Sequence, residues 1–121
     1  MINYVDPIPP IIRLLNKPFQ NRLTVYGNTF PLSNIRLPAV LVRTAGGSGS
    51  YRIQLLSRAN DDITAMKNLI DVMNYFERYG QNMTGIRVKW VGRESNPIPS
   101  VDTDSGKPEA WCYMNVEAME V

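Results

Sequence analysis

Apolar and polar positions recur with two different periods along this chain, and the switches between them mark its elements. In Pro9-Pro10-Ile11-Ile12-Arg13-Leu14-Leu15-Asn16, the residues Ile11, Leu14 and Leu15 are spaced by three and four, one face of a helix. Proline is tolerated in a first helical turn, where its missing N–H would have no partner, but it disfavours helical geometry at the residue before it. A short helix is therefore predicted to begin near Pro10 and to stop at Pro18. Arg22-Leu23-Thr24-Val25-Tyr26 is rich in β-branched and aromatic residues and predicts a strand, closed by the turn signal Gly27-Asn28. A loop through Pro31, Ser33 and Asn34 leads to Leu37-Pro38-Ala39-Val40-Leu41-Val42-Arg43. That run shows little alternation, as in a strand covered on both faces, and Pro38 belongs at its start or edge.

The next segment, Ala45-Gly46-Gly47-Ser48-Gly49-Ser50, is short and glycine-rich. It precedes a clean period of two: Tyr51, Ile53 and Leu55 face one way, and Arg52, Gln54 and Arg58 the other. The two strands are expected to pair as a hairpin. A long helix is predicted from about Asp61 to Tyr79, with Asn60 as N-cap and Asp61 and Asp62 in the first turn. Arg78 lies in its last turn, and Gly80 is the expected left-handed residue that ends it. Ile63, Met66, Ile70 and Met73 form an apolar stripe that Leu69, Val72 and Phe76 widen, the pattern of a helix lying on a sheet. Two strands follow. In Ile86-Arg87-Val88-Lys89-Trp90 the apolar residues are expected inward and the basic ones outward. From Ala110 to Val121, Cys112, Met114, Val116 and Ala118 make one face, and Trp111, Tyr113, Asn115 and Glu117 the other. Arg93 to Pro108 between them is predicted as a long loop, and long loops in compact domains are usually functional or mobile. The whole predicts one α+β domain over residues 1–121: a mainly antiparallel sheet of about five strands, a long helix packed on one face and a short N-terminal helix.

Composition narrows the function. The net charge of +2 is too balanced for a dedicated nucleic-acid binder. The chain has one cysteine and no histidine, which excludes an intrachain disulfide, Ser-His-Asp and Cys-His catalysis, and histidine-containing zinc sites. No run approaches the roughly 20 apolar residues of a membrane span, and no basic region precedes an apolar stretch at the N-terminus. A protein made and used in the cytoplasm, without cofactors, is expected.

Few constellations could carry chemistry. Gly46-Gly47-Ser48-Gly49 lacks the lysine of a phosphate-binding loop and leads into a strand, so it reads as a flexible hairpin tip. Asp102, Asp104 and Glu109 surround Gly106 but miss the spacing of a calcium loop, so a solvated loop is expected. Cys112 reads as a buried, inert thiol. Arg52, Arg58, Arg87, Lys89 and Arg93 could share one face of the sheet, as a solvated face or as an assembly surface lining a channel for DNA. Trp111 and Tyr113 face away from the apolar side of the last strand, either as interface anchors or under the first helix.

Taken in order, a short helix, Asn21-Arg22-Leu23-Thr24-Val25-Tyr26, Leu37-Pro38-Ala39-Val40-Leu41-Val42, a glycine-rich tip, a strand, a long helix opened by acidic residues, Gly85-Ile86-Arg87-Val88, a Pro/Asp-rich loop and a strand beginning near Pro108 resemble the tail terminator, or minor capsid, proteins of long-tailed phages with non-contractile tails. The likeness spans nearly the whole chain and rests on order and spacing. Family members often open the final strand with a basic or aromatic Pro-Arg-Tyr-like segment, where this chain has Pro108-Glu109-Ala110-Trp111. The resemblance implies a non-enzymatic virion protein of the tail neck. It implies a ring, typically of six subunits, on the last layer of tail tube protein, a second face for head-completion proteins, and DNA passing through the lumen without sequence recognition. Expected assembly surfaces are Gly46, Gly47, Ser48, Gly49, Asp102, Asp104, Trp111 and Tyr113, and Arg52, Arg87 and Lys89 are the expected channel-facing basic residues. A head–tail joining or stopper protein is the alternative in the same setting, and a small nucleic-acid-binding module the alternative from another class.

Overall fold

A computed structural model describes residues 4–119. Helix α1 spans Ile8–Phe19 and strand β1 Thr24–Gly27; β2 is Ala39–Thr44, β3 Tyr51–Arg58, helix α2 Asp62–Tyr79, β4 Val88–Arg93, β5 Ile98–Val101 and β6 Pro108–Ala118. The fold is α+β, with both helices packed on the sheet face formed by Val40, Val42, Ile53, Leu55, Cys112, Met114 and Val116. The sheet has six strands rather than about five and is mixed. Its order is β1-β2-β3-β6-β4, with β5 also paired to β6. β1 runs parallel to β2, and every other pairing is antiparallel.

α1 differs from expectation at both ends. It starts at Ile8, whose N–H donates to Asp6 Oδ1 (3.1 Å). Pro9 and Pro10 thus both fall in the first turn, where no N–H partner is needed. Burial of Ile8 and Pro10 outweighs the restriction that Pro10 places on Pro9. Pro18 does not stop the helix: one more residue follows, and the Phe19 side chain is buried, so the core holds the final turn.

α2 lies where the pattern places it, but its details shift. The cap is Asp61, whose carboxylate accepts from the Thr64 N–H (2.8 Å) and hydroxyl (2.9 Å). Asn60 instead accepts from Lys107 Nζ (3.1 Å). Gly80 is right-handed (φ −59°) and opens a 3-10 turn, Gly80–Asn82. Glycine is required there by close packing, because a Cβ would sit 2.6 Å from Val91 Cγ2. The helix is also rotated from the expected stripe. Ala65, Asn68, Leu69, Val72, Met73 and Phe76 are buried, while Ile63 is 77% exposed and Ile70 36%. Asn68 enters the interior because its Oδ1 accepts from Arg22 Nε (3.1 Å) and Nη2 (2.7 Å), which compensates the polar group.

Two further corrections concern the last strands. The register slips between Val88 and Trp90, and this bulge pairs Trp90 with Glu117 on the outer face. Trp90 is therefore exposed, with its indole lying over Gly92, rather than inward beside Val88. The expected loop 93–108 contains β5, paired through Ile98↔Trp111 and Ser100↔Glu109.

Candidate assembly surfaces

The uncovered face of the sheet carries the residues that the alternation sends outward. Leu41, Leu56, Trp111 and Ile98 are consecutive cross-strand partners, so an apolar row crosses four strands, from buried Leu41 through half-buried Leu56 and Trp111 to exposed Ile98. Trp111 and Tyr113 are half-buried and meet edge to face (centroids 5.3 Å, 72°). α1 does not cover them, since it lies on the opposite face.

The predicted basic face is largely neutralised. Arg52 donates to Glu94 Oε1 (2.6 Å) and stacks over Tyr113 at 4.9 Å. That hydrogen bond, then the charge of the guanidinium, holds the Glu94 carboxyl below its usual range. Arg58 binds Glu109 (2.8 Å) and reaches Asp102 (3.5 Å), under the ring of Phe30 at 4.3 Å. Arg93 pairs with Met114, an inward position, and binds Glu77 of α2 (3.3 Å), so it does not share the outer face. Arg87 and Lys89 are exposed and form no ion pair among the described residues. Of the three expected channel residues, Arg52 is thus engaged within the chain, and only Arg87 and Lys89 present open charge.

The two loops have distinct local roles. At the hairpin tip Gly46, Gly47 and Gly49 all have positive φ, and Ser48 is exposed between the last two. Gly47 (φ +100°) admits no other residue without displacement: a Cβ would lie 2.6 Å from the Ser50 carbonyl oxygen. The tip borders a cavity of about 300 Å³ lined by Tyr4, Thr44, Tyr51 and Arg52. Asp102 closes the turn into β6 by accepting from the Ser105 hydroxyl (2.6 Å) and N–H (3.0 Å), and these bonds lower its pKa. Asp104 is exposed in that turn. The hairpin tip and the 102–106 turn follow different strand ends and form no joint site. Asp102, Asp104 and Glu109 form no metal-binding group among the described residues.

The edge at β4 is closed to another strand. Gln81 Nε2 donates to the Lys89 carbonyl (2.6 Å), and the Arg93 N–H donates to Glu77 Oε2 (2.9 Å). Side chains thereby satisfy backbone groups that an added strand would use. On the β5 edge, Pro99 offers no N–H.

Burial pushes the Cys112 thiol up to about 12 from its ordinary 9.0. The thiol is therefore neutral and unreactive at neutral pH. Because the folded-state value is raised, the associated stability is whole below pH 9 and is lost as pH rises toward 12. Between those limits Cys112 is expected to steepen alkaline destabilisation by about 1.4 kcal/mol per pH unit. Denaturant unfolding of wild type and Cys112→Ala at pH 8 and pH 10.5 checks this. Equal pH slopes for the two proteins would remove the assignment.

Sequence reasoning missed the exposed apolar residues that the fold gathers elsewhere. Ile63, Met66 and Ile70 of α2 line a groove of about 490 Å³ with Pro99 of β5. The groove continues past Pro99 to Val101, bordered by Asp61 and Asp62, in a space of about 560 Å³. Leu32, in the loop between β1 and β2, is fully exposed. The only signal for Ile63, Met66 and Ile70 in the sequence was an apolar stripe too wide for one helix face, and Leu32 gave none. The sequence matches no protein-family model and no curated protein.

Proposed function

We propose that this protein is a phage tail terminator: a ring, of six subunits by the family resemblance, that caps the head-proximal end of the tail tube. In this reading the ring ends tube polymerisation and offers its other side to a head-completion protein. Genome DNA passes through its lumen, with Arg87 and Lys89 as the candidates to face it, and no reaction is catalysed. The protein is assembled in the host cytoplasm and resides in the virion neck.

The observation that carries the reading is apolar surface left on both sheet faces, half-buried Leu56 and Trp111 with exposed Ile98 on one and the groove at exposed Ile63 on the other. Apolar residues gathered at a surface are what an interaction site presents. A closed ring needs two different patches per subunit, because its contacts are heterologous. The α+β order of elements is also the one that the family resemblance implies. A non-enzymatic role is supported by what the reactive groups do: Asp102, Glu94 and Glu109 hold turns and arginines, and Cys112 is buried.

The test is the solution mass by light scattering, alone and with tail tube protein, together with tube length in an assembly reaction. A ring-sized species, or one that appears with the tube, and shorter tubes are expected. A strict monomer that leaves tube growth unchanged would overturn the reading.

A further inference from the structure

Charge is divided unevenly along the chain. Between Pro7 and Asn60 the basic residues are Arg13, Lys17, Arg22, Arg36, Arg43, Arg52 and Arg58, and there is no acidic residue. Within the chain, Arg22, Arg52 and Arg58 find carboxylates of the second half, at Asp71, Glu94, and Glu109 with Asp102. Arg36 forms no ion pair among the described residues and is the only charge in the loop between β1 and β2. That loop is held in place: Tyr26 Oη accepts from the Arg36 N–H (3.0 Å), Tyr26 and Phe30 meet edge to face at 5.7 Å, and Phe30 covers Arg58. Leu32, at 107% relative exposure, is thus presented to solvent on an anchored loop.

The groove has the complementary character. Its floor is Ile63, Met66, Ile70, Pro99 and Val101, and its rim is acidic: Asp61 caps the helix through Thr64, Asp62 forms no ion pair among the described residues, and the nearby Lys67 is bound to Asp71 (2.9 Å). Loop and groove lie on opposite faces of the sheet. Phe30 sits on the outward guanidinium of Arg58, whereas α2 packs on the inner face. A chain cannot fill its own groove, but a neighbour can.

We infer that copies of this chain join head to tail, with Leu32 of one seated in the α2–β5 groove of the next and its Arg36 against the Asp61–Asp62 rim. An apolar knob in a pocket with a polar rim is the usual anatomy of such a contact. Because knob and groove are different surfaces, the contact is heterologous, as a ring requires. This inference rests on the ring reading and names the subunit contact within it.

Leu32→Asp and Ile63→Asp remove one surface each at exposed positions, so both variants are expected to fold. At concentrations where the wild type assembles, each variant alone is expected at the mass of one chain, 13.7 kDa. An equimolar mixture is expected to give two-chain species and nothing larger, since an intact loop meets an intact groove only once per pair. A mixture that stays monomeric, or variants that keep the wild-type mass, would overturn this contact while leaving the ring reading to the tube assay. A wild type that stays monomeric at its highest soluble concentration, yet caps tubes, would also overturn the contact and leave the ring reading standing.

Discussion

Phe76→Ala is expected to lower the free energy of unfolding by about 3–5 kcal/mol, the cost of lost burial plus the cavity left behind. Phe76 is fully buried on the inner face of α2 and is among the largest side chains with no exposure. In a chain of this length such a loss corresponds to a fall of roughly 10–20 °C in the thermal midpoint. Ile63→Ala is expected to change stability by less than about 0.5 kcal/mol, because its side chain stands in solvent. The pair tests the rotation of α2. If Ile63→Ala were the more costly of the two, the helix would present its 63/66/70/73 stripe to the core, and the groove would not exist. Calorimetry on both variants decides it.

Glu109→Ala is expected to cost about 2–4 kcal/mol. The Arg58–Glu109 pair lies on the outer face with side-chain exposures of 12% and 9%, and the Arg58 Nε and Nη2 both reach Glu109 Oε2, at 2.9 and 2.8 Å. Removing the carboxylate strands a guanidinium beneath Phe30, with only Asp102 at 3.5 Å in partial compensation. Replacing both partners by apolar residues, Arg58→Met with Glu109→Leu, is expected to recover most of the loss, since the penalty belongs to the unpaired charge rather than to the absence of the pair. Denaturant unfolding of the single and double variants measures this. A double variant as unstable as Glu109→Ala would show that the cost lies in packing against Phe30.

The core strands were legible because their chemistry repeats every second residue. Tyr51–Arg58 and the Cys112/Met114/Val116 face appear as the alternation predicts, and the glycine-rich tip joins β2 and β3 as an antiparallel hairpin. β5 was not legible, because its proline and mostly exposed side chains give no alternation and it exists only through pairing with β6. Trp90 was misplaced because a bulge shifts side-chain parity without any mark in a pattern of single residues. The basic face dissolved for a related reason. Arg52, Arg58 and Arg93 find carboxylates 42, 51 and 16 residues away, partners that a local reading cannot supply.

By itself the sequence determined the class of the fold, the long helix, the hairpin and the two faces of the last strand. Those follow from local periodicity and turn chemistry, which act over a few residues. Tertiary structure decided the parallel β1, the orientation of α2, and which apolar residues remain outside. Each of these depends on which of several nearly equivalent arrangements buries the most apolar area while pairing most buried polar groups. The candidate contact surfaces belong to that second set. Leu32 and Ile63 are ordinary apolar residues in the sequence, and they acquire meaning only because the packed core leaves them in water.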